Sequence, residues 1–477
     1  MIYSNYFTKF RRTLSLILFL GITVSSGIFA QKPNISKING NPIIPDMIAD
    51  PSILEINGVF YCYATTDGYE HGLQTSGPPV VWKSNDFVNW SFKGIFFPSA
   101  DQQLYWAPSK IVPANGKYYI YPTINTNIHV AVSDSPEGPF RLANGPDRFT
   151  GADAAKPLVK LDGPKGTKGI DAEVFVDDDG QAYMFWAQRG AARLKPDMIT
   201  LDTSVVVIKT KRKGYTEGPI FFKRKGIYYF LYTLSGHEDY QYAYGYSRVS
   251  PLGPFIFPEH DIISTTDRLQ GIYGPGHGCV FSKAGTDDFY FSYLEFGRGG
   301  CTRQVWVDKM EFNDDGTIKP IQLTQTGVGA LNRVKKPNIN LALNAILSAS
   351  SVMPDLKVKP IRDTTLRRIE TFVPDNATDG SNGTRWMAAS SDSEPWLSVD
   401  LGKVQKIKRC EAYFVKPTAG HAFRLEYSMN GKDWKGCGGH TEVLIQSPHI
   451  DNLAIKARYL KITILKGTPG LWELKIF

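Results

Sequence analysis

A hairpin pattern that recurs along the first two thirds of the chain limits the folds that the chain can adopt. Its clearest copy begins at residues 216–219 (TEGP), continues as an apolar strand, turns at Gly226 and returns as a strand rich in aromatic residues. β-Branched and aromatic runs on both sides of a glycine turn predict β-hairpins. The other copies begin at Asp50, Trp106, Asp171 and Gly276. Repetition of all-β segments at intervals of roughly 45–65 residues predicts blades around an axis, and five copies predict a five-bladed β-propeller.

The repeat also predicts that acidic side chains meet at the propeller axis. The first strand of each blade faces that axis, so equivalent positions of the five copies converge on one pocket. Three copies carry a carboxylate at this phase, namely Asp50, Asp171 and Glu217. Packing does not require three acids in one place, so we interpret them as a functional site.

The composition is that of a folded protein without a nucleic-acid partner. Of the 477 residues, 42% are hydrophobic and 21% are charged, which is sufficient for sizeable buried cores. This length predicts two or three domains. The net charge of +8 is modest, and no long basic run is interleaved with aromatic residues. We therefore do not expect binding to nucleic acid. The sequence does not indicate an oligomeric state.

The N-terminus has the order of regions found in a signal peptide. Lys9, Arg11 and Arg12 precede an apolar run at residues 14–24, and small residues follow. This order predicts a signal peptide at residues 1–30 and a secreted or periplasmic protein. The apolar run is too short to span a bilayer, although a membrane anchor is the alternative interpretation. No other stretch predicts a transmembrane span.

Export would allow disulfide bonds, but the chain has only five cysteines: Cys62, Cys279, Cys301, Cys410 and Cys437. Because the number is odd, at least one stays unpaired in a monomer. None has the spacing of a metal-binding pair. We interpret Cys62 and Cys279 as buried strand residues, and the sequence leaves a pairing of Cys410 with Cys437 open.

The character of the sequence changes after the predicted propeller, which covers residues 41–323. Residues 324–338 lack the period-2 alternation of strands and carry a Lys-Lys-Pro sequence, so we interpret them as a linker. Short strands at regular spacing follow in residues 339–477 and predict a β-sandwich. The predicted fold class is therefore all-β, a five-bladed propeller followed by a sandwich.

Three acids in one pocket are sufficient to hydrolyse a glycosidic bond with inversion. One carboxylic acid protonates the leaving oxygen, and an ionised carboxylate roughly 6.5–9.5 Å away activates a water on the opposite face of the sugar. The acid must stay protonated near neutral pH, which burial and a neighbouring negative charge both favour. A third carboxylate supplies that charge, so acids from three blades fit one division of roles.

The motifs around these acids resemble those of glycoside hydrolase family 43. The matching segments are 49–52 (ADPS), 106–108 (WAP), 169–173 (GIDAE), 177–180 (DDDG) and 216–219 (TEGP). The resemblance implies an inverting hydrolase of arabinose- or xylose-containing glycans that needs no cofactor for its chemistry. It implies Asp50 as general base, Glu217 as general acid, and Asp171 as the residue that raises the pKa of the acid and orients it. Glu173 is the alternative to Asp171, and Ala172 stands where many members have proline.

The same resemblance implies further residues around the acids. His277 matches the histidine near a divalent cation, typically calcium, on the propeller axis, and a satisfied hydrogen bond is the alternative. Arg303 resembles an arginine near the sugar. Trp106 is interpreted either as a platform that stacks on a sugar or as a core residue. The three acids at 177–179 are predicted to form a hairpin turn, because the later ligands of a calcium-binding loop are absent.

The C-terminal region resembles a coagulation factor five/eight type C (discoidin-like) domain. The matching segments include 340–344 (NLALN), 377–380 (ATDG), 384–386 (TRW), 396–402 (WLSVDLG) and 458–461 (RYLK). The resemblance implies a jelly-roll sandwich that binds carbohydrate, with Asp379 and Glu473 near a structural calcium ion.

We therefore expect an exported glycoside hydrolase of the α-L-arabinofuranosidase or β-D-xylosidase type that acts on plant-type or other glycans. A galactofuranosidase or galactanase is the alternative enzyme, because the same pocket serves related sugars. A retaining fructan hydrolase is disfavoured, because Asp50 is preceded by Ala49 and followed by Pro51-Ser52 where that class has an Asn-Asp-Pro-Asn motif. A catalytically inactive sugar-binding protein and an adhesion protein are the non-enzymatic alternatives.

Overall fold

The structure, a computed structural model, describes residues 40–67, 76–296, 303–333, 339–343, 345–358, 360–362 and 368–477. The predicted signal peptide, residues 334–338 of the predicted linker, and Cys301 lie outside these ranges. Within them the regular structure is almost entirely β-strand, with short 3₁₀ helices at Pro98–Ala100, Pro164–Gly166, His237–Asp239, Pro374–Ala377 and Pro417–Ala419. No helix among these residues is long and apolar enough to cross a membrane.

The first two blades lie between residues 48 and 142. The first is an antiparallel sheet of β1 (Ile48–Ile56), β2 (Val59–Thr66) and β3 (Val81–Ser84). The next strands are β4 (Tyr105–Trp106), β5 (Val112–Ala114), β6 (Lys117–Ile120), β7 (Thr123–Ile124), β8 (Asn127–Ile128), β9 (Ala131–Ser133) and β10 (Arg141–Leu142). The second blade has the order β10-β9-β6-β5, and β4, β7 and β8 form a separate small sheet.

Three further sheets complete the propeller. The third blade contains β11 (Glu173–Val176), β12 (Ala182–Trp186), β13 (Gly190–Arg193) and β14 (Val206–Val207). The fourth contains β15 (Ile220–Arg224), β16 (Ile227–Leu234), β17 (Gln241–Ser247) and β18 (Ile262–Thr265). The fifth contains β19 (Gly276–Ser282), β20 (Phe289–Glu295) and β21 (Gln304–Met310). Neighbouring strands within each blade are antiparallel, as the predicted hairpins require.

Two-residue turns connect the inner strands of several blades. Lys225 and Gly226 both have positive φ, at 49° and 77°, and so do Asn57 and Gly58, at 51° and 80°. Two consecutive left-handed residues form the turn whose twist matches that of the flanking strands. The glycine at the second position of these turns explains why the hairpins could be recognised in the sequence.

Strand alternation places buried side chains between neighbouring blades. In β2, Phe60 and Cys62 join the cluster shared with the fifth blade, whereas Tyr61 and Tyr63 join the cluster shared with the second. In the described part of the chain, five such clusters lie between blades one and two, two and three, three and four, four and five, and five and one. This closed ring confirms the predicted five-bladed propeller.

The N-terminal segment closes the ring at the outer edge of the fifth blade. The side chain of Asn41 donates to the carbonyl of Val307 at 3.1 Å and accepts from the N–H of Val307 at 2.8 Å. The N–H of Ile43 donates to the carbonyl of Val305 at 3.0 Å. The first described residues therefore hydrogen-bond to the last strand of the propeller, so the two ends of the ring are joined at one seam.

The C-terminal region is a β-sandwich built from long, bent strands. Its strands are β22 (Ile346–Ala349), β23 (Leu356–Lys357), β24 (Ile369–Glu370), β25 (Trp386–Met387), β26 (Trp396–Phe414), β27 (His421–Ser428), β28 (Lys435–Leu444), β29 (His449–Lys466) and β30 (Gly470–Ile476). The register of β26 against β29 shifts twice, and such irregularities allow one strand to take part in both layers. The sequence predicted short strands in this region, whereas β26 is continuous over 19 residues. Cys410 and Cys437 are both free thiols.

The sandwich contacts the propeller at the seam. Met47 packs against Tyr413, Val415 and Trp472 of the sandwich. The side chain of Asn382 donates to the carbonyl of Pro42 at 3.1 Å. These contacts join the sandwich to the segment that closes the ring, and the described residues from Gly40 onward belong to one compact unit.

Candidate active site

Four of the five blades begin with a residue in the left-handed region of backbone conformation. These residues are Asp50 (φ 50°), Ala107 (φ 38°), Asp171 (φ 62°) and Gly218 (φ 51°). Such angles are uncommon for residues other than glycine and cost on the order of 1–3 kcal/mol each. In the first blade the register of β1 against β2 also shifts between Ala49 and Ser52. Irregularities of this kind re-aim side chains at strand ends, and here they bring Asp50 and Asp171 to one pocket.

The fourth blade departs from the predicted phase. Gly218, and not Glu217, has the backbone position of Asp50 and Asp171, so this acid comes one residue earlier than the repeat predicts. A Cβ atom at Gly218 would lie 2.8 Å from Cγ of His277. Because only glycine fits there, the fourth blade carries its carboxylate on the preceding residue.

Asp50 lies between a threonine and an arginine. The hydroxyl of Thr65 donates to Oδ2 of Asp50 at 2.6 Å and accepts from the N–H of Ala107 at 2.8 Å. Nη1 of Arg303 lies 3.4 Å from Oδ1 of Asp50. Asp67 holds the same guanidinium through Nη2 at 2.8 Å and Nε at 3.2 Å. We refer to Asp50, Thr65, Asp67 and Arg303 as the Asp50 side of the pocket.

Arg303 gives the Asp50 side a fixed positive charge. Its side chain is buried, and burial alone would lower the pKa of the guanidinium, but the carboxylates of Asp67 and Asp50 raise that pKa overall. Burial raises the pKa of Asp67, while Arg303 opposes this shift. The sequence-predicted Arg303 therefore contacts Asp50 directly and is oriented by Asp67, a residue that the sequence did not indicate.

Glu217 has neutral hydrogen-bond partners. The hydroxyls of Tyr215, at 3.0 Å, and Tyr240 donate to its two carboxylate oxygens. Its backbone N–H donates to the hydroxyl of Thr233 at 3.0 Å. Within the described residues, no Lys or Arg side chain forms an ion pair with Glu217. Burial and then the charge of Asp171 raise the pKa of Glu217, and the tyrosine hydroxyls oppose this only in part. We refer to Glu217, Tyr215 and Tyr240 as the Glu217 side.

Asp171 and His277 lie between these two sides. Nδ1 of His277 is 3.6 Å from Oδ1 of Asp50 and 3.6 Å from Oδ2 of Asp171. The N–H of Gly218 donates to Oδ2 of Asp171 at 3.1 Å. Burial and the charge of Asp50 raise the pKa of Asp171 to about 7, whereas that N–H and Arg303 lower it.

Burial and the charge of a neighbouring carboxylate raise the pKa of both Asp171 and Glu217, so each favours its protonated form more than a free carboxyl group does. A backbone N–H that donates to Asp171 stabilises its ionised form. Among the described residues the carboxylate of Glu217 has only hydroxyl donors, and a hydroxyl can also accept a hydrogen bond from a carboxylic acid. The geometry therefore favours the proton on Glu217.

A lysine ammonium contacts residues from three blades, among them Glu173, which follows Asp171 by two positions. Nζ of Lys110 is 2.6 Å from Oε1 of the buried Glu173 and 3.4 Å from the carbonyl of Val280. Lys110 comes from the second blade, Glu173 from the third and Val280 from the fifth. The sequence offered Asp171 and Glu173 as alternatives for the third acid. Because Glu173 is paired with Lys110, Asp171 is the one that lies in the pocket with Glu217.

The axial residues do not fit a calcium ion in addition to this ammonium. The carboxylate of Glu173 is paired with Lys110, and Nδ1 of His277 lies 3.6 Å from a carboxylate oxygen of both Asp50 and Asp171. No group of three or more His, Cys, Asp or Glu side chains in the described ranges has the arrangement of a metal site. We derive no step through a metal here.

Asp379 and Glu473 in the sandwich do fit a calcium ion. Glu473 is buried, and neither of its carboxylate oxygens has a hydrogen-bond partner within the described residues. Burial and the nearby Asp379 raise its pKa well above the usual range, although Lys475 opposes the shift. Two close carboxylates suit the oxygen ligands that calcium prefers. Asp379 and Glu473 would hold the ion, which would neutralise their charges.

Trp106 keeps part of its surface exposed, while its neighbour Tyr105 is fully buried between blades one and two. The indole therefore remains a candidate platform for a sugar. A cavity of about 550 Å³ opens beside Glu217, and its lining includes Tyr215, Tyr240 and Arg362. Another cavity, of about 450 Å³, is lined by residues 262–269 and 320–323 and contains none of the predicted site residues.

A propeller with carboxylates from three blades in one axial pocket is the arrangement of a glycoside hydrolase. Comparison with family models agrees: the model of glycosyl hydrolases family 43 matches residues 39–318, and that of the F5/8 type C domain matches residues 361–474. The chain belongs to glycosyl hydrolases family 43 and is a glycoside hydrolase with a discoidin-like domain.

Curated relatives and a solved structure support the same assignment. The chain is 28% identical over 312 residues to a β-D-galactofuranosidase of Aspergillus niger, covering 61% of this chain and 86% of the relative. It is 27% identical over 419 residues to an arabinoxylan arabinofuranohydrolase of Bacillus subtilis, covering 74% and 78%. A solved structure described as a glycoside hydrolase is 58% identical, with a TM-score of 0.88, and the match covers 92% of this chain and 99% of that one.

Proposed function

We propose that this protein is an inverting glycosidase that removes α-L-arabinofuranosyl or β-D-xylosyl groups from arabinose- or xylose-containing glycans. The observation that carries the proposal is the contrast between the two sides of one pocket. Asp50 lies beside the Arg303 cation, whereas Glu217 lies among tyrosines with a raised pKa. One carboxylate is thus supported as a base and the other as an acid.

The proposed reaction uses only side chains and water. Glu217 donates its proton to the glycosidic oxygen as the bond to the leaving group breaks. Asp50 accepts a proton from the water that attacks the anomeric carbon from the opposite face. Asp171 orients this arrangement and keeps Glu217 protonated through its negative charge. Proton nuclear magnetic resonance of the first product anomer tests the proposal, because net retention contradicts it.

A β-D-galactofuranosidase is the second candidate, and the Aspergillus niger relative of that name supports it. Both candidates require the same acid and base, so the pocket residues described above do not separate them. Initial rates on aryl α-L-arabinofuranoside, β-D-xyloside and β-D-galactofuranoside distinguish the two. A rate on the galactofuranoside that exceeds the others replaces the first candidate with the second. No turnover of any substrate would favour an inactive sugar-binding protein.

The proposal includes export and a division of the chain. Residues 1–30 are proposed as a cleaved signal peptide, and N-terminal sequencing of the mature protein should begin near Gln31. The propeller at residues 41–323 is proposed as the catalytic domain, and residues 339–477 as a carbohydrate-binding module. The chain is similar to an extracellular endo-α-(1→5)-L-arabinanase of Thermotoga petrophila, which supports a secreted or periplasmic location.

A further inference from the structure

The discoidin-like domain extends a segment to the mouth of the Glu217 cavity. The backbone N–H groups of Ile361 and Arg362 donate to the carboxylate of Glu238, at 2.6 Å and 3.0 Å. Glu238 belongs to the fourth blade and is 1% exposed. A buried carboxylate that accepts two backbone donors holds this segment in a defined position.

This attachment places a guanidinium in the cavity wall. Arg362 lines the same cavity as Glu217, Tyr215 and Tyr240. Its Nη1 donates to the hydroxyl of Ser235 at 3.1 Å. Within the described residues it forms no ion pair with a carboxylate. Because a guanidinium has five N–H donors, most of its capacity is available to a bound molecule.

The other charges of the cavity wall do not neutralise Arg362. Arg212 is paired with Asp261 at 2.7 Å. Lys213 is exposed and has no carboxylate partner among the described residues. Glu217, as the proposed acid, is protonated when it acts. The wall therefore carries a positive charge that attracts an anionic ligand.

The position of this charge relative to the reaction follows from the role of Glu217. The general acid protonates the oxygen of the leaving group, so the leaving part of the glycan lies on the Glu217 side. A planar guanidinium matches a carboxylate through two parallel hydrogen bonds. The group that meets Arg362 is therefore part of the remaining glycan and not of the sugar that is removed.

We propose that Arg362 makes the enzyme selective for glycans that carry a uronic acid next to the sugar that is removed. This inference rests on the proposed function, because it assumes that Glu217 is the general acid. The discoidin-like domain then completes the substrate site of the propeller, in addition to any binding of glycan on its own surface.

The test compares acidic and neutral forms of one substrate with the full-length enzyme. The substrates are glucuronoarabinoxylan oligosaccharides and the same oligosaccharides after reduction of their carboxyl groups to alcohols. The wild type should cleave the acidic form with a kcat/KM roughly tenfold higher, and the ratio should fall with salt. Arg362→Gln should bring the ratio close to one, because kcat/KM should fall more on the acidic form than on the neutral form. Arg362→Lys should retain part of the preference for the acidic substrate, because lysine keeps the positive charge but cannot form the two parallel hydrogen bonds of a guanidinium.

Arg141→Gln is the matched control. It removes the same charge from an exposed site on the second blade, where the side chain is 74% exposed, and it should leave the ratio unchanged. Equal kcat/KM values for both substrates in the wild type, or an equal loss on both in Arg362→Gln, would overturn the proposal. A higher rate on oligosaccharides that carry a sulfate ester in place of the carboxylate would reassign the anion and also overturn it. Failure of the proposed function is distinguishable, because it abolishes turnover of the neutral aryl glycosides too.

Discussion

The Asp50 side and the Glu217 side of the pocket differ in the kind of partner that surrounds each carboxylate. Asp50 has a buried arginine that is itself held by Asp67, whereas Glu217 has two tyrosine hydroxyls. Both acids lie near the start of an inner strand, although Glu217 comes one residue earlier in the repeat than Asp50. Similar locations in a repeat therefore do not carry equivalent chemistry, because the partners come from other blades and from the loops between strands.

The backbone differs between the two sides as well. Asp50 is itself in the left-handed conformation, while Glu217 precedes the left-handed Gly218. A shift of one residue in a strand turns a side chain to a different direction. The fourth blade thus aims its acid from another angle than the first.

Exchange of each acid for its amide should produce the largest effects and separate the two sides. Asp50→Asn removes the proposed base, so kcat/KM should fall on the order of 10²–10⁴-fold for every substrate. Glu217→Gln removes the proposed proton donor, so the loss should be of that size only for natural glycans. An aryl glycoside with an easily lost phenol should be cleaved comparatively well. The measurement is kcat/KM on both kinds of substrate, and a leaving-group dependence in Asp50→Asn instead would reverse the two roles.

Removal of the Asp50-side cation should destabilise the protein. Arg303→Gln leaves two buried carboxylates without their counter-charge, and loss of one partner from a buried pair costs about 3–5 kcal/mol. Chemical denaturation should show this as a lower free energy of unfolding. The double variant Asp67→Asn/Arg303→Gln should be more stable than Arg303→Gln alone, since it removes one of the unpaired charges. If the double variant is the less stable of the two, the ion pair does not have the assigned role.

Asp171→Asn should change both the pH profile and the pH dependence of stability. The variant removes the charge that, after burial, raises the pKa of Glu217, so the alkaline limb of kcat/KM should move to lower pH. Asp171 has a pKa of about 7 in the folded state, above the unfolded value of about 3.9. Its stability contribution is thus present at low pH and lost as the pH rises through about 7. The Tm of the variant minus the Tm of the wild type should therefore be larger at pH 8 than at pH 5.

Asparagine is a suitable replacement there because it tolerates the left-handed backbone of residue 171. A Tm difference that is the same at pH 5 and pH 8 would show that residue 171 does not titrate between them.

Loss of a tyrosine hydroxyl on the Glu217 side should have the smallest effect. A hydroxyl that donates to the carboxylate lowers the pKa of Glu217, so Tyr240→Phe should move the alkaline limb to higher pH. Its cost in kcat/KM should be only several-fold, since one hydrogen bond contributes about 1 kcal/mol. Tyr228→Phe, which loses a hydroxyl bonded to Asp177 away from the pocket, should leave the limb in place. A limb that moves to lower pH in Tyr240→Phe would contradict the assigned donor.

The sequence predicted those features that local patterns encode. The hairpin at Ile220–Arg224 and Ile227–Leu234 follows from alternation and the turn glycine Gly226. The approximate positions of the acids follow from the repeat. Tyr215 could have been found too, because it directly precedes the TEGP motif.

Other features depend on contacts between distant residues. The pair of Asp67 and Arg303 joins residues that are 236 positions apart, and no local pattern links them. The shift of the acid to Glu217 depends on the space that His277 leaves at Gly218. Arg362 comes from a different domain. Such contacts become visible only when the blades and the sandwich are placed together.

The seam between Asn41 and Val307 has a consequence for how the protein reaches its folded state. Its hydrogen bonds join residues separated by 266 positions, so a chain made from its N-terminus cannot form them until the fifth blade has been synthesised. Contacts of such long sequence separation form slowly. After the fifth blade has been synthesised, and before these hydrogen bonds form, its outer edge presents unpaired backbone groups that another chain can bind. Expression at a high level should therefore favour aggregation of propellers whose ring has not yet closed. Slower synthesis should reduce this aggregation.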